Sequence, residues 1–393
     1  MKKLAIVTTH PIQYNAPWFR LLAERGIVEP RVFYTWGQLE KEQKFDPGFG
    51  KQVNWDIPLL DGYQYSFVEN TAINPGSHHR KGIVNPSLNQ EIEQWQPDAI
   101  LVFGWNFVSH LNCIRYFHNK IPVLFRGDST LLRKQSFLKS LIRTIYLKWV
   151  YRLIDYALYV GTENKKYFLH CGLTKNQLLF APHAIDNDRF ADKEILYQQQ
   201  ADEWKNKLGI PEKSISILFA GKLEPIKNVD LILNFAERFV GKPVHFIIAG
   251  NGQLEDELKL MACENSQVKF IDFQNQQLMP VVYRLADFFI LSSVSETWGL
   301  GVNEAMACGR AVLVRDTCGC AADLVKPGKN GFVFNESEMN ELYGQVIKLV
   351  TNKVALKNMG IESQKMIASF SFKHIVSSIE NYFKTNTAQT LNG

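Results

Sequence analysis

The sequence is poor in cysteine and in long apolar runs. Only six of the 393 residues are cysteines, and only Cys318 and Cys320 lie close together. Scattered cysteines do not form a disulfide scaffold, and a zinc site usually needs a second close pair. No apolar run approaches the roughly 18 residues that a membrane-spanning helix requires. We therefore expect a cytoplasmic protein with free thiols and no metal site.

Two phosphate-binding fingerprints are also missing. The first candidate strand, 4–8, runs into the glycine-free segment 9–14, so no G-x-G-x-x-G follows it. The chain also contains no G-x-x-x-x-G-K-[ST]. These absences exclude the usual dinucleotide fingerprint and a P-loop ATPase. The net charge of +5 is small for this length and does not indicate a nucleic-acid partner.

What the chain does contain is a regular alternation of short apolar runs and longer helical patterns. Strands are predicted at 4–8, 31–35, 99–103, 122–126, 156–160, 215–220, 244–249, 268–273, 287–292, 311–315 and 331–334. Helices are predicted at 17–25, 87–95, 107–118, 131–153, 228–239, 253–263, 276–285, 302–309 and 337–350. Continuously apolar strands that alternate with helices are typical of parallel sheets covered on both faces. Because the pattern occurs twice, we predict an α/β protein with two Rossmann-like, doubly wound domains.

The domain boundary is expected in a polar stretch near 183–213. We place the first domain at 1–190 and the second at 191–371. A last helical pattern at 372–385 could return to the first domain.

The segment 292–309 carries the strongest chemical signal. A strand ends before it and a helix begins inside it, so free N–H groups and the helix dipole suit a phosphate. Gly299 and Gly301 let a ligand approach the backbone closely. The carboxylates Glu296 and Glu304 suit sugar hydroxyls, although they could also be a solvated loop acid and a residue that favours the helix N-terminus.

This segment resembles the Glu-x7-Glu signature of retaining glycosyltransferases of the GT4 family, which have the GT-B fold. Further segments resemble the family in the same order: 181–190, 219–228, 249–252, 305–312 and 319–332. The resemblance covers about 180–335, whereas the N-terminal half resembles the family only in architecture. It implies two Rossmann-like domains that face a central cleft.

The resemblance also implies roles for individual residues. Glu304 should bind the ribose of a nucleotide, and Glu296 should bind hydroxyls of the donor sugar. Further donor-site positions are Gly299 and Leu300 for backbone N–H groups, Lys222 and Lys227 for the diphosphate, and Gly221, which precedes Lys222. Gly250 and Phe273 lie on loops where a base would rest. Lys222 stands where the family usually has arginine, which keeps the charge but not the forked geometry. Two ammonium groups and a helix N-terminus can stabilise a leaving diphosphate, so we expect neither metal nor resident cofactor.

One short pattern suggests a metal instead. Asp186-Asn187-Asp188 has the Asp-x-Asp spacing of a different glycosyltransferase fold. It lies inside the interdomain segment that resembles GT4, so we interpret Asp186 as a turn or helix-cap residue.

The N-terminal half should bind the acceptor. Family members often have a histidine near an aspartate after a later strand, and this chain has Arg126 and Asp128 there instead. We expect Asp128 or Arg126 to contact the donor sugar or acceptor, the alternative for Asp128 being the N-cap of helix 131–153. His10 and Trp105 are further acceptor-side candidates, because each follows a predicted strand.

The segment 131–154 contains six basic residues and no acidic one. Such a helix can cover the sheet with a solvated basic face, or it can lie on an anionic membrane surface. The second interpretation predicts a peripheral protein on the inner face of the cytoplasmic membrane.

The resemblance implies transfer of a sugar, with retention of configuration, from a nucleotide-diphosphate sugar to a glycan or lipid-linked acceptor, in cell-surface polysaccharide synthesis. Two alternatives are a nucleotide-sugar 2-epimerase of the same fold and a non-catalytic partner subunit. The epimerase would need acid and base carboxylates, for which the sequence has no matching motif.

Overall fold

A computed structural model describes residues 1–37, 44–46, 51–53, 55–133 and 137–390. Contacts between residues divide the chain into two compact units. The first unit comprises 1–42, 58–183 and 372–393, and the second comprises 43–57 and 184–371.

The strands alternate with helices along most of the chain. They are β1 (Lys2–Thr8), β2 (Val28–Tyr34), β3 (Lys44–Asp46), β4 (Lys51–Val53), β5 (Gln64–Phe67), β6 (Ala99–Phe103), β7 (Val123–Arg126), β8 (Tyr156–Tyr159), β9 (Leu178–Phe180), β10 (Ile215–Ala220), β11 (Val244–Ala249), β12 (Val268–Ile271), β13 (Phe288–Leu291), β14 (Ala311–Arg315) and β15 (Gly331–Phe334).

The α-helices follow the same order. They are α1 (Ala16–Arg25), α2 (Leu88–Trp95), α3 (Val108–Phe117), α4 (Phe137–Tyr151), α5 (Thr162–His170), α6 (Asn187–Ala191), α7 (Glu194–Lys207), α8 (Val229–Glu237), α9 (Glu255–Met261), α10 (Met279–Arg284), α11 (Leu300–Ala307), α12 (Ala321–Leu324), α13 (Met339–Val350), α14 (Lys353–Ile367) and α15 (Phe372–Thr390).

The first unit contains a parallel sheet in the order β5-β2-β1-β6-β7-β8-β9. Its central strands are continuously apolar and buried, because helices cover both faces of a doubly wound sheet. The C-terminal helix α15 belongs to this unit and packs against α1, where Arg25 and Glu380 form an ion pair at 3.0 Å.

The second unit contains a parallel sheet in the order β12-β11-β10-β13-β14-β15. Strand β10 pairs with β11 on one side and with β13 on the other. The strand order therefore reverses at β10, because the chain continues outward through β11 and β12 and then returns to β13 on the other side of β10. In an open α/β sheet, this switch point is where ligands bind.

The predicted α/β architecture is confirmed, and each of the predicted strands is present with small shifts at its ends. The short strands β3, β4, β5 and β9 were not predicted from the sequence, nor were helices such as α5, α7 and α14. Within the described residues, no helix combines the length and the hydropathy needed to cross a bilayer.

The predicted helix at 131–153 is shorter than expected. Helix α4 begins at Phe137, nine residues after Asp128 (137 − 128 = 9). Asp128 is therefore not the N-cap of this helix, and the alternative interpretation of Asp128 as a cap is wrong.

The passage from the first unit to the second lies a few residues before the predicted boundary at 190. Residues 184–190 belong to the second unit because tertiary contacts hold them there. Ile185 forms a parallel bridge with Ser371, and the Asn187 amide donates to the carbonyl oxygens of Ile367 and Phe370 at 3.2 and 3.1 Å.

A buried histidine makes the first unit sensitive to pH. His110 Nδ1–H donates to the carbonyl oxygen of Phe103 at 2.8 Å, and its Nε2 accepts from the Thr35 hydroxyl at 2.8 Å. Burial lowers the pKa of His110 to about 4. The unfolded chain therefore binds a proton near pH 6 that the folded chain does not.

We predict that stability falls as the pH drops from about 6.5 to about 4, by about 1.4 kcal/mol per pH unit for this one group. Thermal unfolding midpoints at pH 7 and pH 5 test this for the wild type and for His110→Gln. The variant should lose less stability between the two pH values, and equal losses would contradict the assignment.

Candidate functional site

The candidate site lies at the carboxyl ends of the second sheet, beside the switch point between β10 and β13. The loop after β10 and the loop after β13 are joined directly. Ser292 Oγ donates to the carbonyl oxygens of Lys227 and Asn228 at 2.8 and 3.0 Å, and Val294 N–H donates to Ile226 O at 2.9 Å. These bonds bring the predicted phosphate-binding lysine to the start of the Glu-x7-Glu segment.

Glu296 is the first acid of that segment and forms an ion pair with Lys227. The Ser293 hydroxyl also donates to Glu296 Oε2 at 3.4 Å. The Glu296 backbone carbonyl accepts from Gly319 N–H at 3.0 Å, so the loop is anchored to the segment after β14. Lys227 was predicted to contact the diphosphate and Glu296 the sugar of one donor, and the two side chains are adjacent in the structure.

Helix α11 begins at Leu300, two residues before its predicted start. Gly299 precedes it with a φ of 106°, and a Cβ at Gly299 would lie 2.5 Å from Leu291 Cδ2. This position therefore requires glycine. Val302 N–H donates to the carbonyl oxygen of Gly299 at 3.0 Å, whereas the geometry of an α-helix leaves the first two N–H groups, those of Leu300 and Gly301, directed out of its N-terminus. Such an N-terminus suits an anion.

Glu304 lies one turn into α11 and is almost completely buried, with 3% of its surface exposed. Its Oε2 accepts a hydrogen bond from the Tyr283 hydroxyl at 2.6 Å, and Tyr283 is itself buried in α10. A buried carboxylate needs such donors to remain in place. Tyr283 was missed by sequence reasoning, since a tyrosine in an apolar run before a strand looks like a core residue.

The loops after β10 and β11 approach each other closely. Gly221 N–H donates to Ala249 O at 3.0 Å, and Gly250 has a φ of 135°. A Cβ at Gly250 would lie 2.0 Å from the carbonyl oxygen of Gly221. Lys222 follows directly on this junction, at the carboxyl end of β10.

Asn251 fixes the loop on which a base was predicted to rest. Its Oδ1 accepts from the backbone N–H of Phe273 at 2.8 Å, while its Nδ2 donates to Glu255 and Asp272 at 2.8 and 3.0 Å. The Gly250-Asn251-Gly252 turn was recognised in the sequence, but the role of the asparagine was not.

In the first unit, His10 lies just after β1. Its Nδ1 is 3.0 Å from the Thr9 hydroxyl oxygen, and its ring meets the Trp36 ring edge-on with centroids 5.3 Å apart. Trp105 is partly buried against the core, and its ring lies 5.5 Å from that of Tyr146. The acceptor-side roles of His10 and Trp105 stay predictions.

Arg126 is buried at the end of β7, and its guanidinium donates to the carbonyl oxygens of Ala181 and Pro182 at 2.7 and 3.1 Å. Burial lowers the pKa of Arg126 to about 10, so its charge remains at neutral pH. These contacts favour a structural role for Arg126, and its predicted contact with a ligand stays a prediction.

Asp128 is half exposed, and its Oδ2 lies 3.6 Å from Nε2 of His183. Burial lowers the pKa of His183, while the Asp128 carboxylate opposes that shift. The structure thus places an imidazole beside the aspartate, although the sequence between β7 and α4 contains no histidine. His183 was missed because it is 55 residues away (183 − 128 = 55).

Asp186 is a helix cap, as interpreted. Its Oδ1 accepts from the N–H of Arg189 at 3.1 Å at the start of α6. Among the residues that the structure describes, no group of three or more His, Cys, Asp or Glu side chains could hold a metal ion.

Comparison with known proteins finds a family match within the second unit. Residues 200–366, which lie within the second unit, match the model of the family "Glycosyl transferases group 1". This segment is therefore similar to that family, as the resemblance in the sequence predicted.

Two curated relatives match at low identity. The D-inositol 3-phosphate glycosyltransferase of Rhodococcus erythropolis is 26% identical over 47% of this chain and 44% of its own length. The sulfoquinovosyl transferase SQD2 of Arabidopsis thaliana is 23% identical over 76% of this chain and 58% of its own length. The matched part of the chain therefore spans only about half the length of these relatives.

A solved structure resembles both units. The Anabaena protein HepE, in complex with UDP, has a TM-score of 0.71 at 17% identity and covers 98% of this chain and 100% of its own. At this identity the likeness shows the fold, and it confirms two Rossmann-like domains.

We predict that Tyr283→Phe lowers the free energy of unfolding of the second unit by about 1 to 3 kcal/mol, because the buried Glu304 carboxylate loses a donor. Urea unfolding measures the change. The matched control is Tyr343→Phe, whose hydroxyl makes no hydrogen bond in the described part of the chain. Equal effects of the two substitutions would contradict the role of Tyr283.

We predict that Gly250→Ala destabilises the second unit by more than about 2 kcal/mol, since the new Cβ would overlap the carbonyl oxygen of Gly221. Gly344→Ala in α13 is the control, because nothing lies within 4 Å of the position that its new methyl group would take. The control should stabilise the helix by up to about 1 kcal/mol. Thermal unfolding distinguishes the two, and a neutral Gly250→Ala would refute the close approach.

Proposed function

We propose that this protein is a retaining glycosyltransferase of the GT4 type. It transfers a sugar from a nucleotide-diphosphate sugar to a hydroxyl group of a glycan or lipid-linked acceptor, in cell-surface polysaccharide synthesis. The reaction uses neither a metal ion nor a resident cofactor. Its location is the cytoplasm, at the inner face of the membrane.

The observation that carries this proposal is the arrangement around the N-terminus of α11. Glu304 is held by Tyr283, and Glu296 is paired with Lys227 where the first-turn N–H groups begin. Carboxylates suit the hydroxyl groups of a ribose and a sugar, and the ammonium group and N–H groups suit a diphosphate. A nucleotide sugar contains a ribose, a donor sugar and a diphosphate, so a single ligand provides a partner for each of these protein groups.

The same groups account for the chemical step. When the glycosidic bond breaks, negative charge develops on the leaving nucleoside diphosphate. Lys222, Lys227 and the dipole of α11 stabilise that charge, which lowers the barrier without a metal ion. The acceptor hydroxyl attacks from the face that the diphosphate leaves, so the donor phosphate receives the acceptor proton and the configuration is retained.

The first unit is assigned to the acceptor. His10, Trp105 and Asp128 are its candidate contacts, and His183 lies beside Asp128. The donor nucleotide is UDP-linked in our working proposal, because the structural neighbour HepE was solved with UDP.

We predict that substitutions of the two glutamates affect nucleotide binding differently. Glu304→Gln should lose the thermal shift caused by UDP, since a ligand at 100 times its Kd stabilises by about 2.7 kcal/mol when it binds only the folded form. Glu296→Gln should keep or increase that shift, because UDP lacks the donor sugar that Glu296 would bind and because Lys227 is released for the phosphates. With UDP-sugar and acceptor, Glu296→Gln should lose transfer.

The control is Glu362→Gln in α14, whose carboxylate forms a local ion pair with Lys365 at 2.6 Å. It should behave like the wild type in both assays. GDP, ADP and CDP are tested in parallel. Absence of a shift with any nucleotide would argue for a non-catalytic role, whereas inverted configuration in the NMR spectrum of the product would refute the retaining mechanism.

A further inference from the structure

Helix α4 of the first unit has two apolar faces. One face is buried against the core of the unit through Leu147, Val150 and Tyr151. The other face is open to solvent. Its apolar side chains, which we call the α4 stripe, are exposed to the following extents: Leu141 49%, Ile142 70%, Ile145 64% and Trp149 40%.

The α4 stripe is continuous. Since successive residues of an α-helix are about 100° apart, its four side chains fall within an arc of about 100°. Single exposed apolar residues are common on protein surfaces, but a contiguous group on one helix face marks an interaction site. A helix that is apolar on both faces is expected to be covered on both.

The surroundings of the α4 stripe are strongly basic. From Ser129 to Ile154 the sequence contains no Asp or Glu. Lys148 borders the stripe on the helical wheel, Arg152 directly follows the last residue of α4, and both are exposed. Arg115, from α3, places its guanidinium 4.6 Å from the centre of the Trp149 ring.

The aromatic side chain of Tyr146 lies at the opposite border of the α4 stripe. The Tyr146 ring lies 5.7 Å from that of Trp149, and the Tyr146 hydroxyl accepts from Arg80 at 3.1 Å. Tyrosine and tryptophan next to arginine are the side chains that suit the boundary between lipid headgroups and acyl chains.

We propose that the α4 stripe docks this protein on an anionic lipid bilayer. Ile142, Ile145 and Trp149 enter the boundary between headgroups and acyl chains, and Lys148 and Arg152 contact lipid phosphates. The positive charge around the stripe favours a bilayer over a second copy of the chain. A second copy on this face would bring two basic surfaces together, whereas an anionic bilayer provides both an apolar interior and a negatively charged surface. The proposal does not depend on the transfer reaction.

Vesicle flotation tests the proposal with the full chain. One set of vesicles is phosphatidylcholine alone, and the other contains about one third phosphatidylglycerol. The wild type should float with the anionic vesicles and much less with the neutral ones, and added salt should weaken the binding. Ile142→Ser/Ile145→Ser and Lys148→Gln/Arg152→Gln should each reduce partitioning to the anionic vesicles by roughly tenfold or more.

Matched controls use residues outside the α4 stripe. Leu260→Ser/Val354→Ser removes apolar side chains that are similarly exposed, 74% and 72%, and Lys329→Gln/Lys357→Gln removes two exposed charges. Both controls should float like the wild type. Unfolding midpoints and the UDP shift, measured on each variant, show that the stripe variants remain folded and that failure of membrane binding is separate from failure of the donor site.

Three outcomes would overturn the proposal. The first is no flotation of the wild type with anionic vesicles. The second is equal loss in the stripe variants and the controls. The third is a lipid-free dimer that Ile142→Ser/Ile145→Ser dissociates, which would make the surface an interface between copies of the chain.

Discussion

Parallel pairing of β10 with β13 is the constraint on which the second unit depends. Because these strands are neighbours in space but far apart in sequence, the loops that follow them leave the sheet side by side. The Ser292 hydroxyl then reaches the carbonyl oxygens of Lys227 and Asn228, and Lys227 reaches Glu296. A different strand order would leave the same side chains on separate edges of the sheet. The geometry of the candidate site therefore depends first on the strand order and only then on any single residue.

Both units also contain buried charged groups that tertiary hydrogen bonds hold in place. Glu304 is buried in the second unit and accepts from Tyr283, whereas Arg126 is buried in the first unit and donates to two backbone carbonyls. Burying a charged group without such partners costs several kcal/mol. In the second unit, the hydrogen bond from Tyr283 therefore holds Glu304 in place near the N-terminus of α11. In the first unit, the hydrogen bonds from Arg126 hold the backbone at 181–182 in place, next to the pair formed by Asp128 and His183.

Sequence patterns predicted the central strands well because burial on both faces gives them long apolar runs. They failed for β5 and β9, which are the outer strands of the first sheet, since a half-exposed strand of three or four residues has no such run. They also placed the start of α4 too early, because basic and apolar residues before Phe137 fit a helical period. Periodicity reports which face of a segment is apolar, and it does not report where hydrogen bonding begins or what covers that face.

The sequence by itself determined the alternation of strands and helices, the position of the Glu-x7-Glu segment and the family that this segment resembles. These features are local: they depend on apolar periodicity, on glycines at tight turns and on the spacing of a few residues. Only the tertiary structure decided the partners, namely Tyr283 for Glu304, Lys227 for Glu296 and His183 for Asp128. The first two pairs are separated by 21 and 69 residues. Such contacts follow from strand order and from the detailed course of the loops, because the energy of a buried polar pair depends on distance in space and not on distance along the chain.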